Sequence, residues 1–107
     1  MVDSKVGELL NRLRTGLEEL YRERLAGMFL FGSYARGEAS DESDVDILIV
    51  LEQLEDYGLE IERTGNLVSS LSIELDTSIS RVFVSSRDWR EADSPFLSHV
   101  RQHAQAA

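Results

Sequence analysis

Met28-Phe29-Leu30-Phe31 is an unbroken apolar run that stops at Gly32-Ser33. Four apolar residues closed by a glycine turn are too short for a helix and carry no polar face. The run therefore reads as a central strand covered on both sides. A strand of that kind obliges the chain to supply neighbouring strands and two covering layers. A second strand is predicted at Asp44-Val45-Asp46-Ile47-Leu48-Ile49-Val50-Leu51, polar at its start and apolar beyond. A third is predicted from Ile79 to Ser85, rich in β-branched and aromatic residues.

The covering layers are legible as helical periods. Val6, Leu9, Leu10, Leu13, Leu17, Leu20 and Leu25 recur at spacings of three and four, giving one amphipathic stripe. Asp3 or Ser4 can cap this helix, Gly27 suits a left-handed terminator, and Gly7 and Gly16 weaken it by ~1 kcal/mol each. Tyr57, Ile61, Thr64, Val68, Leu71 and Leu75 predict a second helix over 54–75, with Gly58 and Gly65 as weak points. Ser85 or Ser86 caps a short helix around Trp89, and Ser94-Pro95 starts another. Trp89 and Phe96 read as core anchors of these last helices. The expected order is α-β-loop-β-α-β-α: one small α/β (α+β) domain over 1–107, with a mixed sheet of three or more strands and helices packed on it. Leu13, Leu17, Leu20, Val68 and Leu71 are expected in the core.

Composition narrows the function classes. A hydrophobic share of 42% in 107 residues supports one cooperative core. The absence of cysteine excludes a disulfide framework, a thiolate metal site and a thiol nucleophile. No apolar run approaches the ~20 residues of a membrane span, and the N-terminus lacks a signal-peptide core, so a cytoplasmic protein without membrane contact is expected. Eleven basic against twenty acidic residues give a net charge of −9, which disfavours direct nucleic-acid binding. From Glu38 to Glu62 there are ten carboxylates and no Lys or Arg. That stretch reads either as a solvated acidic face or as a surface attracting divalent cations or a basic partner.

Phe31 to Asp46 concentrates the chemistry. Gly32 lets the chain leave the strand in a conformation closed to other residues, and Ser33 adds a hydroxyl at that point. Backbone amides and a hydroxyl there suit phosphate oxygens, although Gly-Ser after a strand also makes an ordinary turn. Asp44 and Asp46 are two apart on a strand, so both project from one face. Two ionised carboxylates held together repel unless a cation lies between them. Oxygen ligands with open positions suit Mg²⁺, which keeps waters and substrate phosphates as its other ligands. A solvated strand end is the plainer reading of the pair.

Gly32-Ser33, ten residues, then Asp44-Val45-Asp46 resembles the signature of the nucleotidyltransferase superfamily that includes DNA polymerase β and kanamycin nucleotidyltransferase. The fuller strings Phe31-Gly32-Ser33-Tyr34-Ala35-Arg36-Gly37 and Ser43-Asp44-Val45-Asp46-Ile47-Leu48-Ile49-Val50 are similar to its minimal single-domain branch, the MNT domains. The likeness is dense over 28–51 and looser through Ser80-Arg81-Val82-Phe83-Val84-Ser85. It implies that Gly32, Ser33, Arg36 and Ser43 bind the nucleotide, ATP in the first instance. Asp44 and Asp46 would be the catalytic pair holding one or two Mg²⁺ ions. The implied reaction is in-line attack on the α-phosphate with pyrophosphate leaving. Arg36 could instead pair with Glu38 or Asp41.

The family usually places a third carboxylate on the next strand, and the best register puts Ser80 at that position. Ser80 is a poor proton acceptor and a weak metal ligand, while Asp76, the nearest acid, falls in the preceding turn. His99 and His103 lie four apart on the last helix, a spacing that can chelate zinc, but no third ligand accompanies them. Small acidic MNT proteins commonly pair with a HEPN-domain RNase toxin encoded nearby and neutralise it, some by transferring AMP to it. The resemblance thus implies an antitoxin that adenylylates a protein hydroxyl, within a homo- or hetero-oligomer. The alternative is a degenerate MNT module that inhibits its partner by contact alone. Antibiotic transfer is third, because the chain has no second domain to hold an aminoglycoside.

Overall fold

The computed structural model describes residues 4–40 and 43–107. Its centre is a four-stranded mixed sheet in the order β3-β2-β1-β4, formed by β1 (Leu25–Phe31), β2 (Val45–Leu51), β3 (Ile79–Ser85) and β4 (Gln105–Ala106). β1 runs antiparallel to β2 and to β4, whereas β2 and β3 are parallel. A parallel pair needs a crossover, which α3 (Tyr57–Arg63) and α4 (Gly65–Glu74) provide. α1 (Ser4–Tyr21) precedes the sheet, α2 (Gly32–Arg36) follows β1, and α5 (Ser86–Glu91) and α6 (Pro95–His103) follow β3. Among the described residues, no helix is long and apolar enough to cross a membrane.

Each face of the sheet carries its own apolar cluster. Val45, Ile47, Ile49 and Leu51 of β2 and Met28 and Leu30 of β1 meet Val6, Leu9, Leu13, Leu17 and Tyr21 of α1, with Val68 and Leu71 of α4. Leu48, Val50 and Val84 pack on the opposite side against Leu97 and Val100 of α6. Burying one such Leu or Ile contributes roughly 1.5–3 kcal/mol, so this two-sided sheet is the main source of stability. Leu13, Leu17, Val68 and Leu71 are buried as expected. Asp46 belongs to the α6 side, because it alternates with Val45 and Ile47 and shares its phase with Leu48 and Val50.

Several expectations need correction. Leu20 is 43% exposed; the buried phase of α1 is Val6, Leu9, Leu13, Leu17 and Tyr21. α1 ends at Tyr21, and a 3₁₀ turn over Arg22–Arg24 leads directly into β1. Leu25 and Gly27 are therefore strand residues, with an irregular register between them, and Gly27 terminates no helix. Pairing of Leu25 with Leu51 outweighs the helical period at that point. Gly16, expected only to weaken α1, admits Leu67: a Cβ there would lie 2.6 Å from its Cδ1. The predicted helix over 54–75 is two helices broken at the buried Thr64. Arg81 stabilises the break, donating from Nε to Thr64 Oγ1 at 2.8 Å and from Nη2 to the Ile61 carbonyl at 2.8 Å. Phe96 is 46% exposed and anchors no core, whereas Trp89 stacks on Phe29 with ring centroids 4.8 Å apart.

The helix starts near the C-terminus follow the sequence. Ser85 Oγ accepts from the Asp88 amide at 3.1 Å, and Ser94 Oγ from the Leu97 amide at 3.0 Å, with Pro95 in the first turn of α6. Asp3 and Asp41 lie outside the described residues, so the alternatives that used them cannot be placed; α1 starts at Ser4.

Candidate active site

The site lies where β1 ends and β2 begins. Phe31 and Asp46 are register partners in the antiparallel pair. The next residue, Gly32, has φ +73, and a Cβ there would stand 2.0 Å from Asp46 Oδ2. Glycine is required on two separate grounds: backbone conformation, and room for the carboxylate. α2 starts at this turn and carries Ser33 and Arg36. Its end is closed by Gly37, also at φ +73, and by the Glu38 amide donating to the Ser33 carbonyl at 2.9 Å.

Asp46 is partly buried, yet its carboxylate forms no hydrogen bond or ion pair with any described residue. Burial raises its pKa, the negative charge of Asp44 raises it further, and Arg36 opposes both. Asp44 is exposed at the strand entrance, close enough to Asp46 for its charge to act there. Arg36 also donates from Nε to Glu38 Oε2 at 3.1 Å, so its charge is shared between the site and a surface partner. Ser43, which directly precedes Asp44, accepts at Oγ from the Ser40 amide at 2.9 Å. The structure thus brings Asp44 and Arg36 within electrostatic reach of Asp46 and packs Gly32 against its carboxylate, with Ser33 beside Gly32 and Ser43 just before Asp44.

The donor set suits Mg²⁺. Two adjacent carboxylates leave four or so positions for water and phosphate oxygens, which is how that ion is commonly held. An orphaned, partly buried carboxylate beside a second one is also relieved by a cation. Among the described residues, no group of three His, Cys, Asp or Glu side chains is placed to hold a metal. Ser80 is the register partner of Asp46 on β3, so a serine occupies the place beside the pair. Asp76 is exposed in the turn before β3. His99 and His103 lie with ring centroids 4.8 Å apart, inclined at 52°, on the exposed surface of α6.

Two features of the site escaped the sequence. Gln105 Nε2 donates to the Ala35 carbonyl at 2.7 Å, pinning the end of α2 from seventy residues away. Nothing local marks that contact. The helical state of 32–36 is the second; its signal is the pair Gly32 and Gly37 bracketing four residues.

The profile of the nucleotidyltransferase domain matches residues 10–95. The chain belongs to the nucleotidyltransferase-domain family. It is 35% identical over 72 residues to the protein adenylyltransferase MntA of Thermococcus cleftensis, covering 67% of this chain and 71% of that one. A Methanocaldococcus jannaschii protein named as a candidate protein adenylyltransferase is 34% identical over 73 residues, covering 68% and 83%. Among solved structures, a toxin–antitoxin complex with AMP-PNP aligns at a TM-score of 0.61 and 22% identity, over 88% of this chain and 68% of that one. A Shewanella oneidensis complex of a tri-AMPylated HEPN toxin with its MNT antitoxin aligns at 0.52 and 20%, over 92% and 70%. At these identities the structural likeness establishes the fold. The domain is a nucleotidyltransferase, and the Gly32/Asp46 corner is its candidate active site.

Proposed function

We propose that this nucleotidyltransferase moves AMP from ATP to a hydroxyl of a protein partner, and that the partner is a HEPN-type toxin which the modification silences. The observation that carries the reading is the Asp46 carboxylate, held partly buried without a donor among the described residues and against Gly32, whose positive φ and missing Cβ make room for it. The names of the adenylyltransferase relatives and the toxin–antitoxin assemblies of its fold neighbours support the transferred group and the partner.

In this reading Asp44 and Asp46 hold Mg²⁺, which would supply charge neutralisation and alignment of the reacting oxygens. Gly32 keeps the backbone clear of Asp46, so that phosphate oxygens can approach, while Ser33 donates its hydroxyl to them. Arg36 offsets phosphate charge, and Ser43 contacts the nucleotide. The acceptor oxygen bonds to the α-phosphorus, the bond to the bridging oxygen breaks, pyrophosphate leaves, and the hydroxyl proton passes to solvent or to a base on the partner. With Ser80 beside Asp46, this chain supplies no third carboxylate at that register position. Ser80 also favours a second reading, inhibition by contact alone.

The test is the mass of the partner after incubation with ATP and Mg²⁺, together with rescue of its toxicity. Transfer predicts an added AMP and rescue that Asp44→Ala/Asp46→Ala abolishes. Full rescue by the double mutant, with no added mass, establishes the contact reading instead. Ser80→Asp should strengthen transfer.

A further inference from the structure

The exposed flank of α6 borders the candidate site. At 100° per residue, Leu97 and Val100 point into the sheet, and Arg101 lies to one side of them. Arg101 ties that side to α5, donating to the carbonyls of Asp88 at 3.0 Å, Trp89 at 2.6 Å and Ala92 at 2.6 Å. Phe96, His99 and His103 fall on the other side, away from α5. The Phe96 ring stands edge-on to the Phe31 ring, with centroids 5.8 Å apart and an interplanar angle of 83°. Phe31 directly precedes Gly32 and is the register partner of Asp46. One aromatic side chain thus separates Phe96 from the proposed phosphate and metal positions.

Phe96 is also unlike the other rings on this face of the sheet. Phe29 and Trp89 stack on each other, and Phe31 is covered in part by Phe96 itself, whereas Phe96 remains 46% exposed. Its backbone is fixed by the Ser94 cap and by Pro95, and its ring is braced by Phe31. A braced, half-exposed aromatic ring at the margin of a triphosphate site is a preformed stacking surface, and every nucleobase offers a flat face to such a surface.

We propose that Phe96 is the nucleobase platform of this transferase, stacking the purine of the bound nucleotide while the Gly32/Asp46 corner holds its phosphates. The inference rests on the transferase reading above and adds the residue that recognises the base. Stacking makes the platform selective for nucleotides over bare polyphosphate, and gives larger purine surfaces more contact than pyrimidines.

Calorimetry with two probes, Mg·ATP and Mg·tripolyphosphate, separates the two claims. Phe96→Ala and Phe96→Leu should weaken Mg·ATP binding about five- to a hundred-fold, the range for losing one base–aromatic stack, and leave Mg·tripolyphosphate unchanged. Phe96→Trp should retain ATP binding and show fluorescence quenching by ATP that the wild type, with Trp89 alone, does not. Unchanged ATP binding in Phe96→Ala and Phe96→Leu overturns the platform while the phosphate site stands. Equal weakening for both probes assigns Phe96 to the shape of the site and also overturns it. Binding of neither probe by the wild type defeats the underlying transferase reading, and the platform with it.

Discussion

Two carboxylates from the same acid-rich stretch meet opposite treatment. Glu60 is almost wholly buried and receives three donors: Tyr21 Oη at 2.7 Å, Arg63 Nε at 3.0 Å and Arg24 Nη2 at 3.1 Å. Burial alone would raise its pKa, but these hydrogen bonds and the Arg24 charge together hold it below the ordinary value. Burial, and then the hydrogen bond to Glu60 and its charge, push the Tyr21 hydroxyl up, against the opposing charges of Arg63 and Arg24. Asp46 is partly buried as well, yet it has no donor among the described residues and a like charge beside it, and its pKa moves up. The fold satisfies Glu60 and leaves Asp46 without a donor among the described residues. A saturated carboxylate belongs to the architecture, and an unsatisfied one is a candidate for chemistry.

Breaking the satisfied member should cost most. Glu60→Ala leaves the buried Tyr21 hydroxyl and two arginines without their acceptor. It should destabilise the protein by about 2–3 kcal/mol, short of a fully buried pair because both arginines are partly exposed. Thermal denaturation should show a Tm about 10–20 °C lower for a domain of this size.

Gly32→Ala comes next. Its Cβ strains a positive φ and drives the Asp46 carboxylate aside, with an expected cost of about 1–2 kcal/mol in urea denaturation and loss of Mg·ATP binding in calorimetry.

The smallest effect has the opposite sign. Asp46→Asn removes the repulsion from Asp44 and the burial of a charge, and should stabilise the unliganded protein by roughly 0.5–1 kcal/mol, as relieving a functional site often does. Its pH dependence sharpens the contrast. From the ordinary aspartate value of 3.8 up to the raised value of Asp46, the folded chain binds more protons than the unfolded one, so this group's contribution to stability falls as pH rises. Glu60 acts in reverse: its contribution is present above 4.5 and is lost as pH falls through its lowered value. Stability measured against pH should therefore rise more steeply in Asp46→Asn than in the wild type. A curve unchanged by the substitution would mean that Asp46 is an ordinary surface acid.

The same contrast explains what the sequence could and could not disclose. The strands, the caps at Ser85 and Ser94, and the Gly32/Asp44/Asp46 grouping rest on local patterns, and the structure has them. The register setting Ser80 beside Asp46 was also expected, from the place the family gives a third carboxylate on the next strand. Glu60 was not. Its i,i+3 pairing with Arg63 is local, but Tyr21 and Arg24 reach it only after α1 and β1 have packed against α3. Leu25 misled for a related reason: it continues the helical period of α1 in sequence, while sheet pairing takes it into β1. Leu20 lies within α1, but the buried phase runs through Leu17 and Tyr21 instead. Phe96 was assigned to the core by its type, and only the packed structure shows it half-exposed beside Phe31.

The central claim is that the Asp44/Asp46 pair is a cation and nucleotide site rather than a solvated strand end. Calorimetric titration of ATP into the wild type and into Asp44→Asn/Asp46→Asn, with and without Mg²⁺, tests it most directly. The account predicts Mg²⁺-dependent binding by the wild type and none by the double mutant, whose fold should be intact. Equal binding by the two proteins, or wild-type binding indifferent to Mg²⁺, would contradict it.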